Sequence, residues 1–400
     1  MKFKSLFFLT ALLVIISCQA QDHTVWRNGT DGIYPETGLL DSWPESGPEI
    51  TWSYEELGQG HSSPVIYDGY LYVTGMTDAT GYLFKFDLSG DLVYRKAYGP
   101  EYSDSFYGPR GTPVILDDVI YLISGYGHVM CLKEENGEKI WEIDMVNDLG
   151  GDTIRWGYNE TPVIDGDNIY CTPGGKNNVV ALNRHTAELV WSCPGKEELS
   201  AYCTPLLFKH NGRKILTTHT ESHLLGIDPA NGELLWTHHY PNKWSVHANT
   251  PIYHDGGLFI VSGYGQGSAK LLLSEDGSSV EPAWKNPLDN RIGGAVLIDG
   301  YIYGSGDNNR EWRCIDWETG KDTYLSKEIG KGVTIAADGK LFCYSDRGEL
   351  ALVNATPEKF DLVSQTRVML GSEQHWAHPI IVDGILYLRH GKALIAYKVK

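Results

Sequence analysis

Short β-prone apolar runs alternate with tight polar turns along most of this chain, and the alternation itself repeats. Val65-Ile66, then Asp68-Gly69, then Tyr70-Leu71-Tyr72-Val73 reads as two strands joined by a two-residue turn. A third run follows, as in His128-Val129-Met130-Cys131-Leu132. Next comes an Asn-Gly or Thr-Gly turn (Asn136-Gly137, Asn231-Gly232, Thr319-Gly320) and a fourth run ending in Trp141, Trp191, Trp236 or Trp284. No long stretch with a 3.6-residue period interrupts this pattern after the N-terminus, so an α/β fold has no helices to draw on.

The first strand of each unit opens on a Ser/Thr-Pro step. It stands at Pro64, Pro113, Pro162, Pro205 and Pro251, is weaker at Ala295 and Thr334, and comes last as His378-Pro379. Successive steps are 39 to 49 residues apart. Four short antiparallel strands in such a period make one propeller blade. The last copy runs out at Lys400 without its Trp strand, while Glu49-Ile50-Thr51-Trp52-Ser53-Tyr54 precedes the first copy as an orphan fourth strand. Joining the two closes a ring and removes a free sheet edge. The expected fold is all-β, an eight-bladed β-propeller closed by an N-terminal strand. Weak terminal strands in the sixth and seventh copies leave a seven-blade count open.

The ends and the charge add an address. Lys2 and Lys4, an apolar run from Leu6 to Ile16, and Ser17-Cys18-Gln19-Ala20 read as a secretory signal over residues 1–20. Ile15-Ile16-Ser17-Cys18 fits a lipobox that would leave Cys18 lipidated, and Cys18-Gln19-Ala20 also fits ordinary cleavage. Residues 21–48 are expected to form a leader packed on the propeller, and residues 49–400 a single propeller domain. Either processing route implies export to a bacterial cell envelope, in the periplasm or anchored to the outer membrane. The membrane would then be reached only through the lipid on Cys18. A net charge of −18 argues against nucleic acid and anionic lipid as partners. A monomer with a saccharide or protein ligand is expected. Six further cysteines include no C-x-x-C pair, and Cys193 with Cys203 is the one pair placed for a disulfide.

The blade phrase resembles the PQQ-type repeat of quinoprotein alcohol dehydrogenases and of BamB-type outer-membrane assembly lipoproteins. The N-terminal stretch Trp26-Arg27-Asn28-Gly29, Thr37-Gly38-Leu39-Leu40, Trp43-Pro44-Glu45-Ser46-Gly47-Pro48 is similar to the leader of PQQ-binding-like β-propeller repeat proteins. So are Tyr107-Gly108-Pro109-Arg110-Gly111-Thr112-Pro113 and Ile335-Ala336-Ala337-Asp338-Gly339-Lys340-Leu341. The resemblance implies the fold far more than a function. Dehydrogenases of the family pair a vicinal disulfide with PQQ, calcium and an aspartate base. This chain has no adjacent cysteines and no acidic cluster of calcium type, so no cofactor is expected.

Repeat register turns sequence into geometry. The residues just before each Thr-Pro step belong to equivalent inter-blade connections and surround one mouth of the channel. There the sequence concentrates His61, Tyr107, Arg110, Arg155, Trp156, Tyr158, Asn159, His247, Asn249, Arg291, His375, Trp376 and His378. Guanidinium groups suit carboxylate or sulfate, indoles suit apolar sugar faces, and amides suit hydroxyls. The expected role is ligand binding without catalysis. The same mouth leaves open a carbohydrate lyase using His247, His375, Tyr158 and Arg155, or a hydrolase using acids such as Glu160, Asp104 and Glu373. A BamB-like assembly scaffold is a third reading. His375-x-x-His378 lacks a third metal ligand. The strand-end tryptophans are expected to pack blade against blade.

Overall fold

Seven of the eight first hairpins of the repeat turn on two consecutive left-handed residues. Asp68 and Gly69 have φ of 46° and 76°, and Asp338-Gly339 and Asp383-Gly384 repeat the arrangement. This turn matches the natural twist of paired strands, so strand joins strand with no slack. The computed structural model describes residues 22–29 and 31–400, and the signal and lipobox expected at residues 1–20 lie outside the described residues.

Among the described residues, thirty-two strands form eight four-stranded antiparallel sheets. Blades 1 to 7 span residues 65–100, 114–144, 163–193, 206–239, 252–286, 296–326 and 332–367. Blade 8 takes three strands from residues 380–398 and its outermost strand, Ile50–Tyr54, from the other end of the chain. The eight-blade ring and its closure by the N-terminal strand are therefore as the sequence reads. The only helical element among the described residues is a 3-10 turn at Trp26–Asn28.

The core lies between blades. Inner strands are buried on both faces, as at Gly257–Ser262, whereas outer strands such as Lys139–Asp144 are largely open. Two devices join blade to blade, and both account for the repeated phrase. At the rim, three of the four strand-end indoles donate their N–H to a carbonyl in the turn of the next blade. Trp141 bonds Arg184 O (3.0 Å), Trp191 bonds Pro229 O (3.0 Å) and Trp284 bonds Trp317 O (3.0 Å). Trp52 of the closing strand does the same to Leu88 O (2.9 Å). The indole lies so close to the receiving turn that a Cβ on Gly320 would sit 2.4 Å from Trp284. In the outer strand of blade 1 Tyr94 takes the indole's place and donates to Glu134 O (2.9 Å), and in that of blade 6 Tyr324 is set against Phe360.

At the channel, the Ser/Thr of the Thr-Pro step forms a belt. Ser63 N–H donates to Thr112 Oγ1 (3.1 Å), Thr112 N–H to Thr161 Oγ1 (3.3 Å), and Thr161 N–H to Thr204 Oγ1 (2.9 Å). Thr250 Oγ1 then donates to Thr204 O (2.8 Å). Asn249 continues the series to Asn290 O (2.7 Å). Between blades 8 and 1 the joint is Arg389, buried and donating to Ser62 Oγ (2.6 Å) and Thr74 O (2.6 Å).

The leader supplies what the belt lacks at blades 6 to 8. His23 pairs with Ile66 of blade 1, and Thr24 O accepts from Ile115 N–H of blade 2. The chain then crosses to Ala336 of blade 7, where Tyr34 N–H donates to its carbonyl (2.8 Å). On the way Arg27, fully buried, donates to Thr334 O (2.9 Å), Ala295 O (2.8 Å) and His378 Nδ1 (2.9 Å). Gly32 is necessary here: a Cβ would lie 2.2 Å from the Arg27 guanidinium. Tyr34, Leu39 and Trp43 then enter the apolar core shared by blades 7, 8 and 1.

Candidate functional site

The inter-blade connections converge on a cup of about 390 Å³ at one mouth of the channel. Every junction but that between blades 6 and 7 contributes: His61 and Ser63, Phe106 and Arg110, Trp156 and Asn159, Tyr202 and Thr204, Trp244, Arg291 and Ile292, Trp376 and His378. Tyr264 joins from a hairpin of blade 5, and Trp26 of the leader is shared with a small hollow lined by Asn249, Ile252 and Phe259. No aspartate or glutamate lines the cup.

Two aromatic banks shape its wall. In the first, Trp376 lies between His61 (5.0 Å between ring centres) and Phe106 (5.1 Å). In the second, Trp156 lies between Tyr202 (6.0 Å) and Trp244 (6.2 Å, edge-on). The Arg155 guanidinium caps the second bank, 4.9 Å from the Trp156 ring centre and 5.5 Å from that of Trp244. Lys243 lies 5.1 Å from the Trp244 ring. At the junction after that of Trp244, Arg291 approaches Tyr264, and its Nε is 3.6 Å from Asp307, whose carboxylate also holds Lys331.

Seven of the thirteen sequence-selected residues line the cup: His61, Arg110, Trp156, Asn159, Arg291, Trp376 and His378. Arg110 is largely spent on structure, since its guanidinium bonds the carbonyls of Ser105, Phe106 and Trp156. His378 is held in the floor. Its Nδ1 accepts from Arg27, so its Nε2–H donates to Ile292 O (3.2 Å). Burial and the Arg27 charge keep it well below the usual histidine pKa. His61 is pushed down to about 3 by burial and then by Arg389 and Arg110, so its ring is neutral.

Six residues fall elsewhere. Arg155 and Tyr107 stand exposed at the rim, outside the lining. Tyr158 is buried with its hydroxyl against the carbonyls of Asp152 and Pro173 (both 2.8 Å). Asn249 serves the blade joint described above. His247 stacks on His219 (4.8 Å) and bonds Glu221 O. His375 bonds Tyr344 Oη (2.5 Å) and stacks on His390 (3.6 Å). Of the set that the sequence offered for elimination, His247, His375 and Tyr158 are thus engaged behind the wall, and only Arg155 stands free at the rim. His375 and His378 serve different partners, and no group of three metal-ligating side chains occurs among the described residues.

The acids are also held by the scaffold. Glu160, buried, accepts from Thr172 Oγ1 and Asn159 N–H, and burial raises its pKa. Asp104 and Glu373 are exposed and outside the lining. Cys193 and Cys203 are not joined. All six described cysteines are free and buried, and the Cys203 thiol faces Thr204 O (3.3 Å).

Sequence register missed Trp26, Phe106 and Tyr264. Trp26 precedes the repeat altogether, and the other two sit on loops at no fixed repeat offset. Ser63, Thr161 and Thr204 carried a signal, the repeated Thr-Pro step, but one that belongs to the joints as much as to the cup.

The family model described as outer membrane protein assembly factor BamB matches residues 79–324. Among solved structures, BamB from Moraxella catarrhalis superposes with a TM-score of 0.65 at 12% identity, over 88% of this chain and 99% of that one. A quinohemoprotein alcohol dehydrogenase from Comamonas testosteroni gives 0.69 at 11% identity, over 94% and 80% respectively. A europium-containing methanol dehydrogenase gives 0.69 at 12%, over 92% and 90%. At such identities the likeness is one of fold. No curated protein matches the chain. The dehydrogenase likeness raises a quinone with a bound metal ion, and the residues present do not fit that pair. The cup offers no carboxylate to hold a metal, and the chain has no adjacent cysteines to lie beside a quinone.

Proposed function

From the premise that the chain belongs to the PQQ-like β-propeller repeat family, whose BamB model spans more than half of it, we propose that it is an envelope protein that binds a saccharide in the cup without cleaving it. One observation carries this reading. Two aromatic banks, interleaved with Thr161, Thr204 and Asn159, surround a cup that contains no acid. Indole and phenol faces suit the apolar faces of sugar rings, and hydroxyl and amide groups suit their edges. A hydrolase needs two facing carboxylates, which this lining lacks. The basic start and apolar run of residues 1–20 support the envelope address.

Tryptophan fluorescence and calorimetry against neutral and acidic oligosaccharides test the reading. At least one should quench and bind with no new reducing ends. Trp156→Ala and Trp376→Ala should each weaken that binding by about 2 kcal/mol, roughly thirtyfold. A panel without a single binder, or binding indifferent to both substitutions, would sink it. The family match favours a second reading, a scaffold in envelope assembly. Leu92, Val93, Leu189 and Val190 stand exposed on outer strands and would suit it. In that case cup substitutions are silent and a protein partner co-purifies.

A further inference from the structure

Resting on the saccharide reading, we infer that the cup receives the end of an acidic chain: an oligosaccharide whose terminal residue carries a carboxylate. Two independent features carry this, the closed floor and the charge of the rim.

The channel does not run through. The leader crosses beneath the cup from blades 1 and 2 to blade 7, and Arg27 fastens it to two carbonyls and to His378. Trp26 stands edge-on to His378 (5.2 Å) as the floor. A polymer could thread the ring only by breaking those buried bonds, each left unsatisfied at a cost. What remains is blind, and its 390 Å³ lies near the lower end of the usual ligand-pocket range of about 300–1,000 Å³. That is room for a terminal sugar or two, not for the middle of a chain.

The rim of the cup is cationic in a molecule of net charge −18. Arg155 makes no ion pair among the described residues, and its guanidinium lies against two indole rings. Stacking on its face leaves the N–H edge of the fork open to a carboxylate. Lys243 stands beside it. Arg291 in the lining is paired with Asp307, and Lys331 behind it with Asp307 and Asp346, so the uncompensated positive charge is that of Arg155 and Lys243. A neutral sugar would make no use of this, and a closed cup concentrates the field on whatever enters.

The test uses trigalacturonate, its carboxyl-reduced neutral counterpart, and polygalacturonates of increasing length, with the full-length protein in calorimetry at fixed ionic strength. Trigalacturonate should bind at least tenfold more tightly than the neutral trimer, and Arg155→Gln should remove most of that difference. The number of protein molecules bound per chain should stay constant as the chain lengthens, because only ends are seats. Equal affinity for the two trimers, or occupancy that grows with chain length, overturns the inference. The saccharide reading survives either result provided that Trp156→Ala weakens both trimers. If neither trimer nor polymer binds, the acidic-end inference falls, and the wider panel above decides the saccharide reading by itself.

Discussion

Arg27 shows how much one side chain can settle. Its guanidinium satisfies carbonyls of two blades and the ring of a third, at the stretch where the Ser/Thr belt has lapsed. Burial lowers its pKa to about 10, so it remains charged at neutral pH. Replacing it leaves buried carbonyls without donors, at about 1–3 kcal/mol each. Arg27→Met should therefore cost about 3 kcal/mol or more, read as a lower midpoint in urea with the far-ultraviolet spectrum of the native state retained. A native-like midpoint would show that the leader is dispensable to the ring. None of this was legible beforehand. Trp26-Arg27-Asn28-Gly29 could be likened to a family leader, but a residue outside the repeat has no register, and nothing local says where its side chain ends.

At the scale of the element, the repeat was legible because two periodic demands coincide in it. Strands alternate with left-handed Asp-Gly turns, which sets the hairpins, and each blade must grip the next, which sets the Trp and the Thr. The gripping rule yields a prediction. Thr112 is buried and supplies the Oγ1 that accepts Ser63 N–H. Thr112→Val should cost about 1–2 kcal/mol, whereas Thr112→Ser, which keeps the oxygen, should cost much less. Equal losses in the two variants would show that packing of the methyl matters and the hydroxyl does not. The same logic explains why the cup was only half legible. Register gives the place of a residue on the ring, not the direction of its side chain. Trp156 and Trp376 point to the channel, while His247 and His375, at neighbouring register positions, pack backwards against His219 and His390. Which way each turns depends on the blade behind it, and that information is not local in sequence.

For the molecule as a whole, buried histidines tie stability to pH. Burial pushes His247 and His375 down to about 4, and His61 to about 3. Unfolded, each would titrate near 6.5. Between those values the unfolded chain takes up protons that the folded one refuses. Their contribution is thus complete above about pH 6.5 and declines as pH falls towards 4. For fully buried His247 the loss at pH 5 is about 2 kcal/mol. Buried Glu101 and Glu160, whose pKa values are raised, act in the opposite sense and offset part of the fall. The melting temperature should be lower at pH 5 than at pH 7, and His247→Asn should show a shallower decline. A flat profile across that range would mean that these rings are hydrated.

The closing strand has a consequence in time. Thr51 Oγ1 donates to Ala396 O across 345 residues of chain, and Tyr34 of the leader reaches Ala336. Contacts of such sequence separation form late, because the loop that they close must first be complete. During synthesis, blades 1 to 7 can fold one after another as their local hairpins emerge. The ring itself has to wait for its final strand, and the leader cannot seat on blades that do not yet exist. A chain still being made is therefore an open arc, with an unpacked blade face at each end and no floor to its channel. Should such a chain be carried across a membrane as an extended polypeptide, its architecture guarantees that it cannot lock shut before its last residues are available.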